Sequence, residues 1–392
     1  MIKTLETIEK ELKKECGDTA LIGMADDIKI LGPKFIPGGI YALDITTGGI
    51  PKGRPVIYWG DQSSGKSTAS LHAAASFQRT CRNCFSKFKT IRREKSGELI
   101  RKDCNCNNPY PMKVAYQDNE KNYDATWFTK CGVFLDKLLI IKPSYAESAI
   151  DSATKVVRSR DCDLLIIDSI VQLGDLEELA KSAEESTMGK APRIIGRATR
   201  QFGSAQNILG TVLGEADTSI ILINQMRNKI GGFGNPETMT GGFALGHYAA
   251  QIIQFRKKAV IKSKSGVVIG HDISFTTVKN HLGAPYRKGE CSLYSIDTPY
   301  YKSGQTNYEV QVVLAATSWG ILEKSGSWYS YNNERVGQGK EKVGMYLREH
   351  NDLLEEIKEK IQEHEDLYIN CKIEAPADLQ DAPTSEQDIL DL

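Results

Sequence analysis

The chain has 392 residues, 40% of them hydrophobic and 26% charged, and its 50 basic and 50 acidic side chains balance to a formal net charge of zero. That length buries a large core and divides into two or three domains, while the neutral balance excludes whole-molecule attraction to nucleic acid, so any such contact must come from local patches. No apolar run approaches the roughly eighteen residues a bilayer-spanning helix needs, and "MIKTLETIEKELKKECGD" lacks the apolar centre of a secretion signal.

The N-terminal segment places Ile2, Leu5, Ile8 and Leu12 at steps of three and four, one stripe of a short amphipathic helix. Such a helix is marginal alone and seeks a partner surface, either its own core or a neighbouring subunit. From residue 55, apolar β-rich runs alternate with helical patterns: "PVIYWG", "STASLHAAASFQ", "MKVAYQD", "KLLIIKP", "DLLIIDSIVQL" and "TSIILINQM". Continuous apolar strands separated by helices predict an α/β fold on a mainly parallel sheet covered on both faces. Residues from about 335 to 370 read as a helical C-terminal unit. The tail 374–392, "EAPADLQDAPTSEQDILDL", has no basic residue and is expected to be disordered.

"GDQSSGKST" matches the phosphate-loop pattern G-x-x-x-x-G-K-[ST] between an apolar strand and an alanine-rich helix, the context that pattern requires. Backbone N–H groups of Gly60, Asp61, Gln62, Ser63, Ser64 and Gly65 would wrap phosphates, with the helix dipole behind Lys66, Ser67 and Thr68. Lys66 would reach the β- and γ-phosphates, and the Ser67 hydroxyl would ligate magnesium. "DLLIID" ends a buried strand in Asp168, where a carboxylate faces the site and holds magnesium or, alternatively, caps the next turn. Another strand delivers Asp118 and Glu120 to the same edge, and a glutamate outside the magnesium shell is placed to polarise water. "LINQM" brings Asn224 and Gln225 there, an amide position suited to sensing the γ-phosphate.

Together, "GDQSSGKST", "AYQDNEKNYDATWFTKCGV", "LLIIDSI" and above all "INQMRNKIGGFGNPETMTGGFAL" resemble the bacterial RecA recombinase family, phage-encoded relatives included. The likeness runs from about residue 36 to 350, and "SGSWYSYNNERVGQGK" is similar to the start of that family's C-terminal domain. The resemblance implies a RecA-type P-loop NTPase core with an α/β C-terminal domain. It implies an ATP- and Mg2+-dependent enzyme that forms helical filaments on single-stranded DNA and pairs it with a homologous duplex, with mediator or single-strand-binding proteins as further partners. It places Glu120 at the catalytic glutamate, Gln225 at the γ-phosphate sensor, and Asp124 and Trp127 at the adenine contacts. "TMGKAPRIIGRATR" resembles the first DNA loop, with Met188, Gly189, Arg193 and Arg200 at matching positions. "RNKIGGFGNPETMTGG" resembles the second, through Arg227, Lys229, Ile230, Gly241 and Gly242. Glycines with Arg227 and Lys229 suit phosphate tracking, and Ile230 is a wedge between bases; a solvated flexible loop is the bland alternative.

The chain departs from the family at several points. Of two lysines that reach a neighbour's γ-phosphate, "TVKNHLGAP" keeps Lys279 but carries His281, which is only partly charged near neutrality. Gly246 and His247 replace a lysine and a phenylalanine at a signalling interface, and the second DNA loop is one residue shorter before "FGNPE".

"CRNCFSKFKTIRREKSGELIRKDCNC" occupies what is a short turn in the family. Two close thiol pairs, Cys81/Cys84 and Cys104/Cys106, bridged by a hairpin-like arm, suit structural zinc in a ribbon or knuckle. A disulfide pair, unliganded thiols and an iron–sulfur site are the alternatives. Its Arg82, Lys87, Lys89, Arg92, Arg93, Lys95, Arg101 and Lys102 far outnumber Glu94, Glu98 and Asp103, which suits either DNA phosphates or a solvated module docked on a subunit. The scattered single cysteines Cys16, Cys131, Cys162, Cys291 and Cys371 fit the reducing cytoplasm.

The expected division is therefore 1–35, an oligomerisation helix and linker; 36–300, the ATPase core with the 79–113 insertion; 301–373, the C-terminal domain; and the tail. A ring-forming helicase or zinc-bearing repair ATPase of the same fold is the competing reading, and a non-enzymatic DNA-coating protein the third. The tail would either screen the basic loops or only solubilise.

Overall fold

The computed structural model describes residues 4–16, 34–88, 90–93, 99–102, 106, 109–169, 196–202, 218–228, 237–239 and 242–369. The acidic tail lies outside them. The first helix, α1 (Leu5–Cys16), carries Leu5, Ile8 and Leu12 exposed on its surface. A short ribbon, β1 (Phe35–Ile36) with β2 (Ile50–Pro51), flanks α2 (Tyr41–Thr47) and leads into β3 (Pro55–Gly60) and α3 (Lys66–Gln78). The insertion forms β4 (Thr90–Arg93) and β5 (Leu99–Lys102), antiparallel with Arg92 opposite Ile100, so the expected hairpin is present. Then follow β6 (Val114–Asp118), α4 (Ala125–Lys130), β7 (Leu138–Ile141), α5 (Ala146–Arg158), β8 (Leu164–Asp168) and β9 (Ser219–Asn228). The core closes with β10 (Glu237–Met239), β11 (Gln251–Lys262), β12 (Val268–Asn280) and β13 (Lys288–Tyr294).

The strands join one nine-stranded sheet in the order β7-β6-β8-β9-β3-β11-β12-β13, with β10 paired to β9. The run from β7 to β11 is parallel; β12, β13 and β10 are antiparallel additions. Every residue of β3, β6 and β8 is buried, as a parallel strand covered on both faces requires. Alternation separates the faces. Val56, Tyr58, Val114, Leu164, Ile166 and Ile221 pack with the alanines of α3. Ile57, Ala115, Leu165, Ile167 and Leu222 pack with Ile150, Ala153 and Val157 of α5.

A third cluster gathers Val312, Val313, Ala316, Val343, Leu347, Ile357 and Ile361 from helices Tyr308–Ser318, Lys340–Glu349 and Asn351–Ile369, with Leu322 from the segment after the first. Between the first two of these helices lies a three-stranded antiparallel sheet, β14 (Glu323–Ser325), β15 (Trp328–Tyr331) and β16 (Glu334–Gln338), in keeping with an α/β C-terminal domain; only β16 falls where the pattern predicts helix from about 335. Strands of three to five residues, mostly on the surface, carry too little alternation to announce themselves. Asn332 and Asn333 both take positive φ (50° and 67°) in the two-residue turn between Tyr331 and Glu334, the left-handed pair that suits the strands' twist.

This cluster is joined to the large sheet by a buried bidentate pair, Arg287 to Glu365 at 2.6 and 2.7 Å, with Trp319 Nε1 donating to Glu365 Oε1 at 2.9 Å. Among the described residues no helix is long and apolar enough to cross a membrane.

Candidate functional site

The site forms where the parallel strands end. Gly60 closes β3 at φ 142°, and a Cβ there would lie 2.0 Å from the Phe255 carbonyl oxygen, so only glycine lets β3 turn beside β11. Gly65, left-handed at φ 92°, launches α3 with its first N–H groups toward the loop. Lys66 is buried; its Nζ donates to the carbonyls of Gly60 and Asp61 and to Ser64 Oγ. Burial pushes the Lys66 ammonium below its ordinary pKa, while Asp168, Glu120 and Asp61 pull it back.

Asp168 is buried at the end of β8. Its Oδ2 accepts the Tyr116 hydroxyl at 2.6 Å; its Oδ1 is buried with no well-formed hydrogen bond among the described residues. Burial pushes its carboxyl up, against the opposing pull of the Tyr116 and Ser67 hydroxyls. An orphaned carboxylate oxygen with a serine hydroxyl beside it is a hard-oxygen pair that fits Mg2+. Asn119 ties this end to the next strand, its N–H donating to Asp168 O at 2.7 Å and its amide to Ser169 O at 2.8 Å.

Asp118 and Glu120 part company. Asp118 is buried and accepts the backbone N–H groups of Asn122 (3.0 Å) and Tyr123 (3.1 Å), so it clamps a turn. Glu120 reaches the site: Oε1 accepts Gln225 Nε2 at 2.9 Å and Oε2 accepts Asn122 Nδ2 at 3.1 Å. Burial raises the Glu120 carboxyl above the usual glutamate range and Asp168 adds to that, while the Gln225 and Asn122 amides pull it down. Half-buried beside a cation and two amides, it is equipped to hold and orient a water molecule.

Asp124 caps α4, its Oδ1 accepting Thr126 N–H at 2.8 Å, and Trp127 sits one turn on, partly buried against the core. Lys279 stands apart from these groups. Its Nζ donates to the carbonyls of Gly246 (2.7 Å) and Ala249 (2.8 Å), at the C-terminal end of helix Gly242–Tyr248, where a cation meets the negative end of the helix dipole. Burial lowers its pKa. Among the described residues position 246 has open space around it, so their packing does not demand its glycine, and exposed His281 donates its N–H to Ala250 O at 3.0 Å.

Of the DNA-loop residues, Arg200 is exposed on a helical stretch at 196–202, the backbone at Arg227 pairs with Thr238, and Gly242 begins a helix. Met188, Gly189, Arg193, Lys229, Ile230 and Gly241 lie outside the described residues, as does Cys104.

The sulfurs of Cys81, Cys84 and Cys106 lie within 4.8 Å of one another, Cys81 and Cys106 at 3.6 Å. Tetrahedral zinc with bonds of about 2.3 Å holds its sulfurs about 3.8 Å apart, so the three fit. Phe85 N–H returns to Cys81 O at 2.9 Å and Phe85 takes φ 60°, a tight knuckle around the first pair, with Lys34 and Lys52 over its ring. Tyr116, Asn119 and Asn122 escaped the sequence reading; in a buried strand Tyr116 reads as core, and only the pairing of β6 with β8 sets it against Asp168.

The family model described as the RecA N-terminal domain matches residues 3–88 and 106–297, and that described as the RecA C-terminal domain matches 311–366. The chain is 33% identical over 364 residues to Protein RecA of Aquifex aeolicus, covering 92% of each chain. It is 32% identical over 392 residues to Protein RecA of Methylococcus capsulatus, covering 99% of this chain and 97% of that one. With Protein RecA of Mesoplasma florum the identity is 32% over 366 residues, 93% and 95% of the two chains. This chain belongs to the RecA family. Members are DNA-dependent ATPases that use ATP and Mg2+, bind DNA and form filaments in recombination and repair. The RecA match breaks at 89–105, inside the cysteine module, which marks that segment as an addition to the RecA core.

Proposed function

We propose that the chain hydrolyses ATP at this sheet edge, assembles on single-stranded DNA as a helical filament, and catalyses homologous pairing and strand exchange. The observation that carries the reading is the Gln225–Glu120 hydrogen bond, because β9 runs directly on from Gln225 to Arg227 and the second DNA loop. A change at the terminal phosphate can thereby reach DNA through one strand. In this reading residues 60–68 hold the phosphates, Asp124 and Trp127 the adenine, and Ser67 and Asp168 magnesium, which when bound neutralises phosphate charge. Lys66 steadies the transferring phosphoryl group and Glu120 orients the attacking water. Lys279 leaves its helix carbonyls to serve a neighbour's site. Met188, Gly189, Arg193, Arg200, Arg227, Lys229, Ile230, Gly241 and Gly242 contact DNA, and α1 docks on an adjoining protomer.

We read Cys81, Cys84, Cys104 and Cys106 as a structural zinc site; three sulfurs already within bonding geometry support it. The buried single thiols Cys131, Cys162 and Cys291 support a cytoplasmic setting, and mediator or single-strand-binding proteins are the expected partners. The domain limits at 35, 300 and 373 belong to the same reading. Strand exchange with and without ATP, beside a steady-state ATPase assay with single-stranded DNA, tests it. Exchange that needs ATP is expected; DNA coating without turnover or exchange would sink it. Lys279→Ala should lose DNA-stimulated hydrolysis and keep ATP binding.

A further inference from the structure

At its C-terminal end α3 turns into the cysteine module, and there a cleft of about 310 Å³ opens between α3, the end of α4 and the module's stem. Arg79, Lys87 and Lys130, from three different elements, line it, and among its described lining residues none is acidic. The Arg79 guanidinium is set: it lies 4.3 Å over the Phe134 ring, and Nη1 donates to Ala75 O at 2.8 Å. His72, deep in the same wall, has Nε2 2.9 Å from Gly304 O and is held by burial at a pKa of about 4, so it stays neutral near pH 7. Among the described residues neither Lys87 nor Lys130 forms a salt bridge. The carboxylates that feel them, Asp44 and Asp297, already accept hydrogen bonds, Asp44 from Gly38 and Gly39 and Asp297 from Ser303 and Lys302. Two ammonium groups with no salt bridge among the described residues, beside a guanidinium that adds its positive charge, make this wall suited to a phosphate.

Its place in the fold says which phosphate. The helix α3 is 13 residues long, which at about 1.5 Å per residue puts the cleft roughly 20 Å from the phosphate loop. The strands β8 and β9 run parallel to β3, so their C-terminal ends lie with the phosphate loop, at the far end of α3 from the cleft. In sequence the basic run continues past Lys87 through Lys89, Arg92, Arg93, Lys95, Arg101 and Lys102, which suits a continuous phosphate backbone better than a lone anion. We propose that the cleft seats a backbone phosphate of duplex DNA guided in by the cysteine module. The proposal rests on the DNA-binding reading above and adds a contact beside the inserted segment 89–105, at the end of α3 away from the phosphate loop.

The test uses full-length, zinc-loaded protein with a non-hydrolysable ATP analogue and a short fluorescent duplex titrated across a range of salt. In the double variant Lys87→Gln/Lys130→Gln the slope of log affinity against log salt should flatten by about one to two, one or two phosphate contacts being lost. Zinc content and hydrolysis on single-stranded DNA should stay at wild-type values. An unchanged slope overturns the proposal. So does phosphate-specific binding of inorganic phosphate that the variant loses while its duplex slope stays put, for the cleft would then serve a free anion. If the wild type binds no DNA of either kind, the recombinase reading falls and takes this one with it.

Discussion

The Gln225 amide donates to the Glu120 carboxylate at 2.9 Å, joining the strand that enters the second DNA loop to the half-buried acid of the phosphate edge. Removing the charge while keeping the shape separates binding from turnover. Glu120→Gln should lower DNA-stimulated hydrolysis about 100-fold or more, the range for a positioned general base, and leave nucleotide affinity within a few-fold. Steady-state rates beside equilibrium nucleotide binding check it; normal turnover would exclude Glu120 from water activation.

The same bond sets a pH dependence. Burial raises the Glu120 carboxyl, so if hydrolysis requires the carboxylate, the rate falls as pH drops through a value above the ordinary glutamate range. The Gln225 amide stabilises the ionised form and pulls that value down. Gln225→Ala therefore moves the acid limb of the pH–rate profile to higher pH. A limb that stays put or moves lower contradicts the arrangement.

What was legible in the sequence, and what was not, follows from range. The strands β3, β6, β8 and β9 announce themselves because burial on both faces leaves them continuously apolar, and the phosphate loop because its residues are neighbours in sequence. The bond from Tyr116 to Asp168 spans 52 positions and exists only once β6 and β8 pair in register. The contact of Lys279 with Gly246 and Ala249 likewise depends on β12 lying against β11, with Lys279 opposite Ile252. Glu120 and Asp118 look alike in "QDNEKN"; which one clamps a turn and which faces the site is decided by backbone geometry around Asn122.

The cysteine module makes a compositional prediction. Purified protein should hold about one zinc per chain, and Cys81→Ser or Cys84→Ser should lose it. Chelation should raise the count of rapidly reacting thiols, with Cys131, Cys162 and Cys291 protected because burial pushes those thiols well up. Elemental analysis with thiol titration decides the matter, and metal-free protein with all its thiols reactive would rule out the zinc site.

Arg287 and Glu365 keep only 8% and 7% of their side-chain surface exposed, and they join the large sheet to the C-terminal helices. Breaking such a pair leaves a charge buried alone, so Glu365→Ala should cost about 3–5 kcal/mol. Arg287→Met/Glu365→Leu, which removes both charges and keeps the volume, should recover most of that loss. Chemical denaturation of the three proteins checks the order; equal losses in both variants would mean that packing, and not the isolated charge, governs the junction.

Leu5, Ile8 and Leu12 lie 71%, 37% and 40% exposed along one stripe of α1. Each leucine or isoleucine buried is worth about 1.5–3 kcal/mol, so three left in water make a surface that gains by meeting another. If that surface is an adjoining protomer, Leu5→Glu/Leu12→Glu should leave the melting temperature of the dilute protein unchanged and abolish filaments on single-stranded DNA seen by electron microscopy. If the helix instead covers its own core, the same variant should melt earlier and still polymerise. The two outcomes differ in sign on both readouts, so one experiment assigns the stripe.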